Sequence, residues 1–515
     1  MGLQPLTSPV PPDSSPVPLL AGALKKAKAK AKKEAEKARR AAEQQAKQAA
    51  AKAAAGNTEG LAMDNYGDDH HTIKVEAERV ALKDIGNDHL GKTIKVRAWI
   101  QNSRMQGAKM AFVELREERK QAIQGVVAAS AEGKPVSKQM VKWIGALNLE
   151  SYVLVEAKVE KPLEPAKSIR VSDYELHITK CYCTAADPEV LGMGLAVSDK
   201  AVTNLDDEYA SDAKEIAEGV ENLSVDNVPG ASMATHLNNP VMHKRAPVQQ
   251  VIADVRMTVR KLFSEYLEAR KFVQFEASCL INAASEGGSN AYLAQSPQVY
   301  KQIEIAGGRK RVFCIGPVFR AENSNTPRHM TEDDYHEVMH MLECVLLYIF
   351  RGTQERCAEQ VALVRTVYHS EEFLLPEAGK EVRPEEYRNV SDDEDISTPQ
   401  EKALGALVRE KYNTDFYVLD KFPESARSFY AMEDPNPRRF SLIHVPDVLE
   451  ARIRKKDVDP ASPGIKYYVD IFRSAGVPPH GGDGIGLDRV VAWYLNLPSV
   501  HLASYYLRTP KRLLP

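Results

Sequence analysis

The sequence predicts an α+β protein with a small N-terminal β-barrel and a larger mixed domain behind it. Two observations carry this prediction. Between residues 76 and 185, short runs alternate between apolar and polar side chains, as half-buried strands do. After Pro247, apolar residues recur at helical spacing instead, and short apolar runs and glycine-rich stretches follow.

The composition is that of a large globular protein. Its 515 residues are 43% hydrophobic and 27% charged, with a net charge of −3. Six cysteines do not make a disulfide framework in a chain of this length, and Cys181 and Cys183 have no second pair with which to hold zinc. No apolar run is long enough to span a membrane, and the N-terminus lacks the apolar core of a secretory signal. We therefore expect a cytoplasmic protein with reduced thiols and no membrane partner.

Residues 1–75 are predicted to be a disordered, Pro- and Ser-rich stretch followed by a lysine-rich helical arm that ends at Gly56. The arm has almost no apolar stripe, so it has no core to join. It is either a solvated helical linker or an electrostatic arm that meets nucleic-acid phosphates without reading sequence. The candidate phosphate contacts are Lys25, Lys26, Lys28, Lys30, Lys32 and Lys33.

Residues 76–185 are predicted to form five short strands and one helix. This pattern suggests an OB-fold barrel, which often binds single-stranded nucleic acid. The expected strands are 93–100, 109–115, 122–127, 152–159 and 175–181, and the expected helix is 136–147. Residues 186–245 are predicted to be a hinge between the two domains. Within them, residues 204–227 are acidic and contain few large apolar side chains.

The segment 312–332, VFCIGPVFRAENSNTPRHMTE, is predicted to be a buried strand, a turn and a polar loop. An Arg and a Glu delivered into such a loop can hold a phosphate, although a surface hairpin with an ion pair has the same pattern. The whole string resembles the second signature motif of class II aminoacyl-tRNA synthetases, in the form found in aspartyl-tRNA synthetases of the eukaryotic cytosol. Residues 480–495, HGGDGIGLDRVVAWYL, resemble the third motif of that class, and the helix after Pro247 resembles the first.

This resemblance implies a class II catalytic domain over residues 246–515, with an antiparallel sheet flanked by helices. It implies that ATP and L-aspartate form aspartyl-adenylate, that the aspartyl group passes to tRNA(Asp), and that Mg²⁺ assists. It also implies a homodimer built on the first motif, although Ala277-Ser278 stand where the family has Thr-Pro.

The resemblance also assigns roles to individual residues. Arg320 and Arg489 are the catalytic residues that stabilise charge on the ATP phosphates, and Glu322 and His329 complete the ATP site. The tRNA acceptor end is expected to meet Ser324 and Thr326.

Two further strings resemble the aspartate-binding elements of the family. SEGG at 285–288 resembles the mobile loop over the amino acid and supplies Ser285 and Glu286. In QSPQVYKQ at 295–302, the resemblance makes Gln298 a positioning group and pairs Lys301 with the aspartate side chain. Discriminating aspartate from asparagine requires such a fixed cation.

The barrel strings QNSRMQG, AFVELRE, IQGVV and YELHITK resemble an anticodon-binding domain. By that resemblance Phe112 stacks on an anticodon base, while Arg104, Gln124 and Glu175 supply polar readout. Strand alternation alone leaves Phe112 equally compatible with a core aromatic. The lysine-rich arm, by the same resemblance, adds general tRNA affinity.

Three strand segments of the family pattern have no counterpart in this chain, after Asn290, after Glu332 and after Arg439. They normally carry the carboxylates that hold Mg²⁺ and the substrate amino group, and the Arg that clamps the α-carboxylate, so the sequence identifies no metal ligands. Missing anchors can cost orders of magnitude in rate. From the resemblance as a whole, the chain is predicted to be an aspartate–tRNA ligase. The alternatives are a catalytically impaired tRNA-binding paralogue and a truncated gene model.

Overall fold

The computed structural model describes residues 63–68, 77–118, 121–130, 135–162, 171–187, 193–205, 229–282, 291–294, 297–317, 330–331, 335–376, 398–418, 431–433, 440–442, 445–478 and 480–506. The chain divides into two compact units, Met1–Glu189 and Val190–Pro515. The architecture mixes α-helices and β-strands, which confirms the predicted fold class at that level.

The strands of the first unit form one sheet. They are Tyr66–Asp68 (β1), Glu78–Arg79 (β2), Thr93–Gln106 (β3), Met110–Arg116 (β4), Ala122–Ala128 (β5), Tyr152–Glu160 (β6) and Val171–Ala185 (β7). The α-helix Lys138–Gly145 (α1) and the 3₁₀ turns Met63–Asn65, Leu82–Asp84 and Asn87–His89 complete the described elements of this unit.

The five long strands of this sheet close on themselves. β3 pairs antiparallel with β4 and with β6, β4 with β5, and β6 with β7. β5 runs parallel to β7, so each of the five has a neighbour on both sides. β1 and β2 add short parallel pairings to β7 and β3.

Alternation along the strands builds the core of the first unit. On β3, Ile94, Val96 and Ile100 are at most 1% exposed and face inward, between half-buried and exposed neighbours. Full burial of each such aliphatic side chain contributes about 1.5–3 kcal/mol. Close packing also requires Gly125 on β5, where a Cβ atom would come within 2.8 Å of Ile178 Cδ1.

All five predicted strands and the predicted helix are present, but β3 and β7 extend further than expected. The arm prediction is wrong at its C-terminal end. Residues 63–68, assigned by the sequence to the arm, form a 3₁₀ turn and a strand, with Tyr66 opposite Cys181 on β7. The six arm lysines lie outside the described residues.

Helices dominate the described part of the second unit. They are Leu195–Ser198 (α2), Met233–Asn238 (α3), Pro240–Arg245 (α4), Pro247–Ala269 (α5), Gln298–Ala306 (α6), Tyr335–Arg356 (α7), Ala358–Tyr368 (α8), Thr398–Tyr412 (α9), Pro446–Lys455 (α10), Pro463–Ser474 (α11) and Leu487–Tyr494 (α12), with a 3₁₀ turn at Val500–Ala503. α5 starts at Pro247, as predicted, and its apolar stripe packs against α7, α8 and α12 in the main core of this unit.

The described strands of the second unit occur as four separate pairs. Three pairs are antiparallel: Leu280–Asn282 (β9) with Ala291–Leu293 (β10), Met330–Thr331 (β12) with Gly482–Asp483 (β15), and Ala431–Glu433 (β13) with Phe440–Leu442 (β14). Val273–Gln274 (β8) runs parallel to Val312–Phe313 (β11).

From residue 193 onwards, the described part of the predicted hinge packs within the second unit, whereas Asp187 still bonds to Asn148 and Ser151 of the first unit. Met193, Val197 and Met242 share a small apolar cluster, and the backbone N–H of Val248 on α5 donates to Asp199 Oδ1 at 3.0 Å. Among the helices that the structure describes, none is long and apolar enough to cross a membrane.

Candidate active site and nucleic-acid interface

Part of the predicted catalytic set lies outside the described residues. This set comprises Ser285, Glu286, Arg320, Glu322, Ser324, Thr326 and His329. The structure does describe Gln298, Lys301 and Arg489, together with the strands on both sides of the predicted phosphate-binding loop.

The short strands bring the end of that loop beside the glycine-rich segment. β12 begins at Met330, directly after the loop, and pairs with β15, placing Met330 opposite Asp483 and Thr331 opposite Gly482. β15 then leads into α12, which carries Arg489. Two stretches separated by about 150 residues, each predicted to bind ATP phosphates, therefore meet in one two-stranded ladder.

α6 carries Gln298 and Lys301 and lies beside β11, the strand that leads into the predicted loop. Burial raises the pKa of the Cys314 thiol, just after β11, and the Lys301 ammonium acts in the opposite direction. The ammonium of Lys301 thus acts electrostatically on a residue at the start of the predicted loop.

A buried hydrogen bond joins α6 to the segment before β15. The amide nitrogen of Gln302 lies 3.0 Å from Nε2 of His480, and the two residues are only 1% and 7% exposed. His480 Nδ1 lies 2.9 Å from the carbonyl oxygen of Pro478, which can only accept, so Nδ1 carries the hydrogen and Nε2 accepts from Gln302. This bond fixes the predicted aspartate-binding helix relative to the predicted ATP-binding segment.

Arg489 occupies the first turn of α12. The preceding residue, Asp488, accepts from Arg256 of α5, with Nε at 2.9 Å and Nη2 at 2.8 Å from its Oδ1. The N-cap residue is Gly486, and a Cβ atom there would touch Cδ of Arg489 at 3.4 Å, so the stem of Arg489 runs closely past this glycine.

The described residues do not assemble a metal site. No group of three or more His, Cys, Asp and Glu side chains among them could hold a metal ion.

Two of the four predicted anticodon residues form one end of a polar face on the closed sheet. Arg104 pairs with Phe112 across β3 and β4, and its guanidinium lies 5.5 Å from the centre of the Phe112 ring. Phe112 is half-buried, between the inward-facing Ala111 and Val113. It lies on the outer face of the sheet and is not part of the core of the first unit.

The other two lie opposite each other on β5 and β7. Gln124 donates from Nε2 to Glu175 Oε2 at 3.2 Å. The second carboxylate oxygen of Glu175 accepts from His177 Nε2 at 2.8 Å. Glu114 lies opposite Gln124 in the register of β4 and β5. Burial raises the pKa of the Glu114 carboxyl, and the charge of Arg116 acts in the opposite direction. The face thus joins an aromatic ring and a cation to a fixed row of hydrogen-bonding groups.

Sequence reasoning missed Gln302, His480, Arg256 and His177. The two bonds in the second unit join residues 178 and 232 positions apart, and no local pattern signals such contacts. His177 carried a usable signal, because period-2 alternation places it on the same face as Glu175.

Comparison with known proteins places the chain in a class. The family model described as tRNA synthetases class II (D, K and N) matches residues 232–442 and 439–510. The protein belongs to the class II tRNA synthetases.

Relatives narrow this class further. A cytoplasmic aspartate–tRNA ligase of Pongo abelii is 36% identical, over 85% of this chain and 91% of its own length. A cytoplasmic aspartate–tRNA ligase of Caenorhabditis elegans is also 36% identical, over 84% of this chain and 87% of its own length. A solved aspartyl-tRNA synthetase from Entamoeba histolytica superposes with a TM-score of 0.73 at 29% identity, covering 88% of this chain and 96% of that one. Within the class, the chain belongs with the aspartate–tRNA ligases.

The alignments also reveal a length difference. The alignment with the Pongo abelii protein has 491 positions, but only 85% of this 515-residue chain lies within it. The aligned part of this chain is therefore shorter than the alignment, and the remaining positions are gaps in this chain. That relative therefore contains segments that have no counterpart in this chain.

Proposed function

We propose that the protein is a cytoplasmic aspartate–tRNA ligase. The α-carboxylate of L-aspartate attacks the α-phosphorus of ATP, and pyrophosphate leaves. A hydroxyl of the tRNA 3′ end then takes the aspartyl group, and AMP leaves. The observation that carries this proposal is the meeting of three elements within a chain whose relatives are aspartate–tRNA ligases. These elements are α6 with Lys301, the strands beside the predicted loop, and the segment that leads to Arg489.

The phosphate-binding roles follow from charge. Arg320 and Arg489 bind the ATP phosphates and stabilise charge on the departing pyrophosphate. Glu322 and His329 complete the ATP site, and Ser324 and Thr326 meet the acceptor end of the tRNA. As a tRNA synthetase the protein uses ATP and a divalent metal. We propose Mg²⁺ as that metal.

Aspartate recognition rests on a fixed cation. Lys301 pairs with the side-chain carboxylate, Gln298 positions the substrate, and Ser285 and Glu286 belong to the loop that covers it. An asparagine side chain offers no charge to Lys301, so it is rejected because the ammonium loses its charged partner.

The first unit is proposed to be an OB-fold that reads the anticodon. Its closed five-stranded topology supports this, as does the face on which Phe112 provides a stacking surface and Gln124 and Glu175 provide polar contacts. The arm lysines add sequence-independent affinity for tRNA. The second unit is proposed to contain the antiparallel class II sheet and to form a homodimer through α5.

No comparison favours the impaired-paralogue alternative. The absence of three strand segments remains a prediction. If it impairs catalysis, a direct measurement of aspartate activation detects the loss.

Aspartate-dependent ATP–pyrophosphate exchange by the full chain tests the proposal. We expect exchange with aspartate and not with asparagine. Lys301→Met is expected to lower kcat/KM for aspartate about 10-fold to 100-fold, since a hydrogen bond to a charged group contributes about 1.5–3 kcal/mol. Lys310→Met, an exposed lysine close in sequence, is the matched control. Salt-sensitive tRNA binding without exchange would refute the enzyme and favour the paralogue.

A further inference from the structure

Arg256 and Asp488 form an ion pair that neither the proposed reaction nor the sequence motifs explain. Arg256 lies in the middle of α5 and Asp488 in the first turn of α12, 232 positions apart. Two guanidinium nitrogens share Oδ1 of Asp488, at 2.9 and 2.8 Å. The side chains are 21% and 33% exposed, so the pair is partly shielded from water.

The guanidinium of Arg256 is oriented by an aromatic ring. It lies 4.7 Å from the centre of the Tyr505 ring. Tyr505 is itself held, because its hydroxyl donates to the carbonyl oxygen of Ala253, one turn earlier on α5. A planar guanidinium stacked in this way loses little further freedom when it binds a carboxylate.

The carboxylate that Arg256 holds is adjacent in sequence to Arg489. Gly486, the N-cap of α12, offers no side-chain cap to this helix start. Arg256 therefore supplies a side-chain anchor for the first turn, from which the Arg489 side chain departs past Gly486.

We propose that Arg256 is a positioning residue that acts through Asp488 to orient Arg489 towards the ATP phosphates. The inference rests on the proposed role of Arg489. Misplacing a phosphate-binding group by about 1 Å can cost up to about 100-fold in rate. Asp488 directly precedes Arg489 on α12, whereas Lys301 lies on α6, so loss of the pair is expected to weaken the interaction with ATP more than the interaction with aspartate.

The experiment measures pyrophosphate exchange with ATP and aspartate varied separately. Arg256→Ala and Asp488→Asn are each expected to raise KM for ATP by about 10-fold to 100-fold and to leave KM for aspartate within about twofold. The double variant is expected to be no worse than either single variant, because both remove the same interaction. Arg256→Lys restores part of the loss. Arg260→Ala, one turn further along the exposed side of α5, is the matched control.

Melting temperature and molecular mass by light scattering accompany the kinetics. An unchanged KM for ATP in Arg256→Ala overturns the inference, while exchange by the wild type leaves the proposed function standing. Equal losses for ATP and aspartate, or a change in mass, also overturn it, because they indicate a defect of folding or assembly. If the wild type shows no exchange, the proposed function fails, and equilibrium ATP binding decides the inference. Weaker binding by Arg256→Ala than by the wild type then supports it, and equal binding or none overturns it.

Discussion

Removal of the Glu150 carboxylate is predicted to destabilise the first unit severely. Arg116 and Glu150 have side chains only 1% and 2% exposed. Arg116 Nη2 donates to both carboxylate oxygens, at 2.9 and 2.8 Å, whereas Nη1 reaches only the Glu117 carbonyl, at 3.4 Å, and Nε has no hydrogen-bond partner in the structure. Glu150→Ala therefore leaves a guanidinium buried almost without partners, at a cost of about 3–5 kcal/mol.

Urea unfolding followed by tryptophan fluorescence measures this cost. Trp99 is a suitable reporter, because the Arg116 guanidinium lies 5.4 Å from the centre of its ring and the Tyr152 ring lies 4.8 Å away. With a slope of about 2 kcal/mol per molar urea, the midpoint of the barrel transition is expected to fall by about 2 M. Since β4 also carries Phe112, we expect tRNA charging to weaken while pyrophosphate exchange persists.

An exposed ion pair and a charge-free double variant serve as controls for the buried pair. Lys158 and Glu160 form a closer contact, at 2.6 Å, but their side chains are 50% and 38% exposed. Glu160→Gln is therefore expected to cost less than about 1 kcal/mol. Joint replacement of Arg116 by Met and Glu150 by Leu is expected to recover most of the loss, since no charge is then left buried. If Glu150→Ala costs no more than Glu160→Gln, burial does not govern this pair.

Three further predictions concern recognition, pH and thiol reactivity. Glu175→Gln is expected to lower the efficiency of tRNA charging about tenfold and leave pyrophosphate exchange unchanged, since it weakens charge-assisted hydrogen bonds on the barrel face; an equal loss of exchange would contradict the domain assignment. Burial lowers the pKa of His236 to about 4. Burial also lowers the pKa of His243 to about 3, and the nearby His236 and Lys244 lower it further in the same direction. The unfolded state therefore takes up protons first as the pH falls below about 6.5. Thermal melts at pH 7.5 and 5 are expected to show stability declining by up to about 1.4 kcal/mol per pH unit for each ring, and His243→Asn is expected to make this slope shallower. A thiol reagent is expected to label the exposed Cys279 in the native protein and to reach the buried Cys181, whose pKa burial raises, only after unfolding, as peptide mapping would show.

The strands of the closed sheet were predictable where they alternate between core and surface, as β3 and β4 do. Ile94, Val96 and Ile100 mark the inward face of β3 within one short stretch of sequence. The same pattern fails where backbone pairing, and not burial, extends a strand. Polar residues after position 100 continue β3 as far as Gln106 because β4 offers partners there, with Gln106 opposite Met110.

The catalytic region was predictable only as a set of motifs. Short strings located Lys301 and Arg489, and the structure places them on α6 and α12. What links these elements, the Gln302–His480 bond and the contact between Arg256 and Asp488, depends on side chains that pack from distant parts of the chain. Such contacts follow from tertiary packing, which local periodicity does not encode.

The short strand β1 fixes where the lysine-rich arm is attached. Tyr66 lies opposite Cys181 on β7, and Glu175 lies about 20 Å earlier along that strand. Asn65 donates a hydrogen bond to the Pro135 carbonyl and the Asp64 carbonyl accepts one from Tyr182, so this point is held to the rest of the first unit. Even fully extended, the roughly 30 residues between Lys33 and Met63 reach at most about 100 Å. Under the proposed function, in which the closed sheet and the arm lysines bind the same tRNA, this tether limits how far the lysines can move from a bound RNA and so raises their effective concentration.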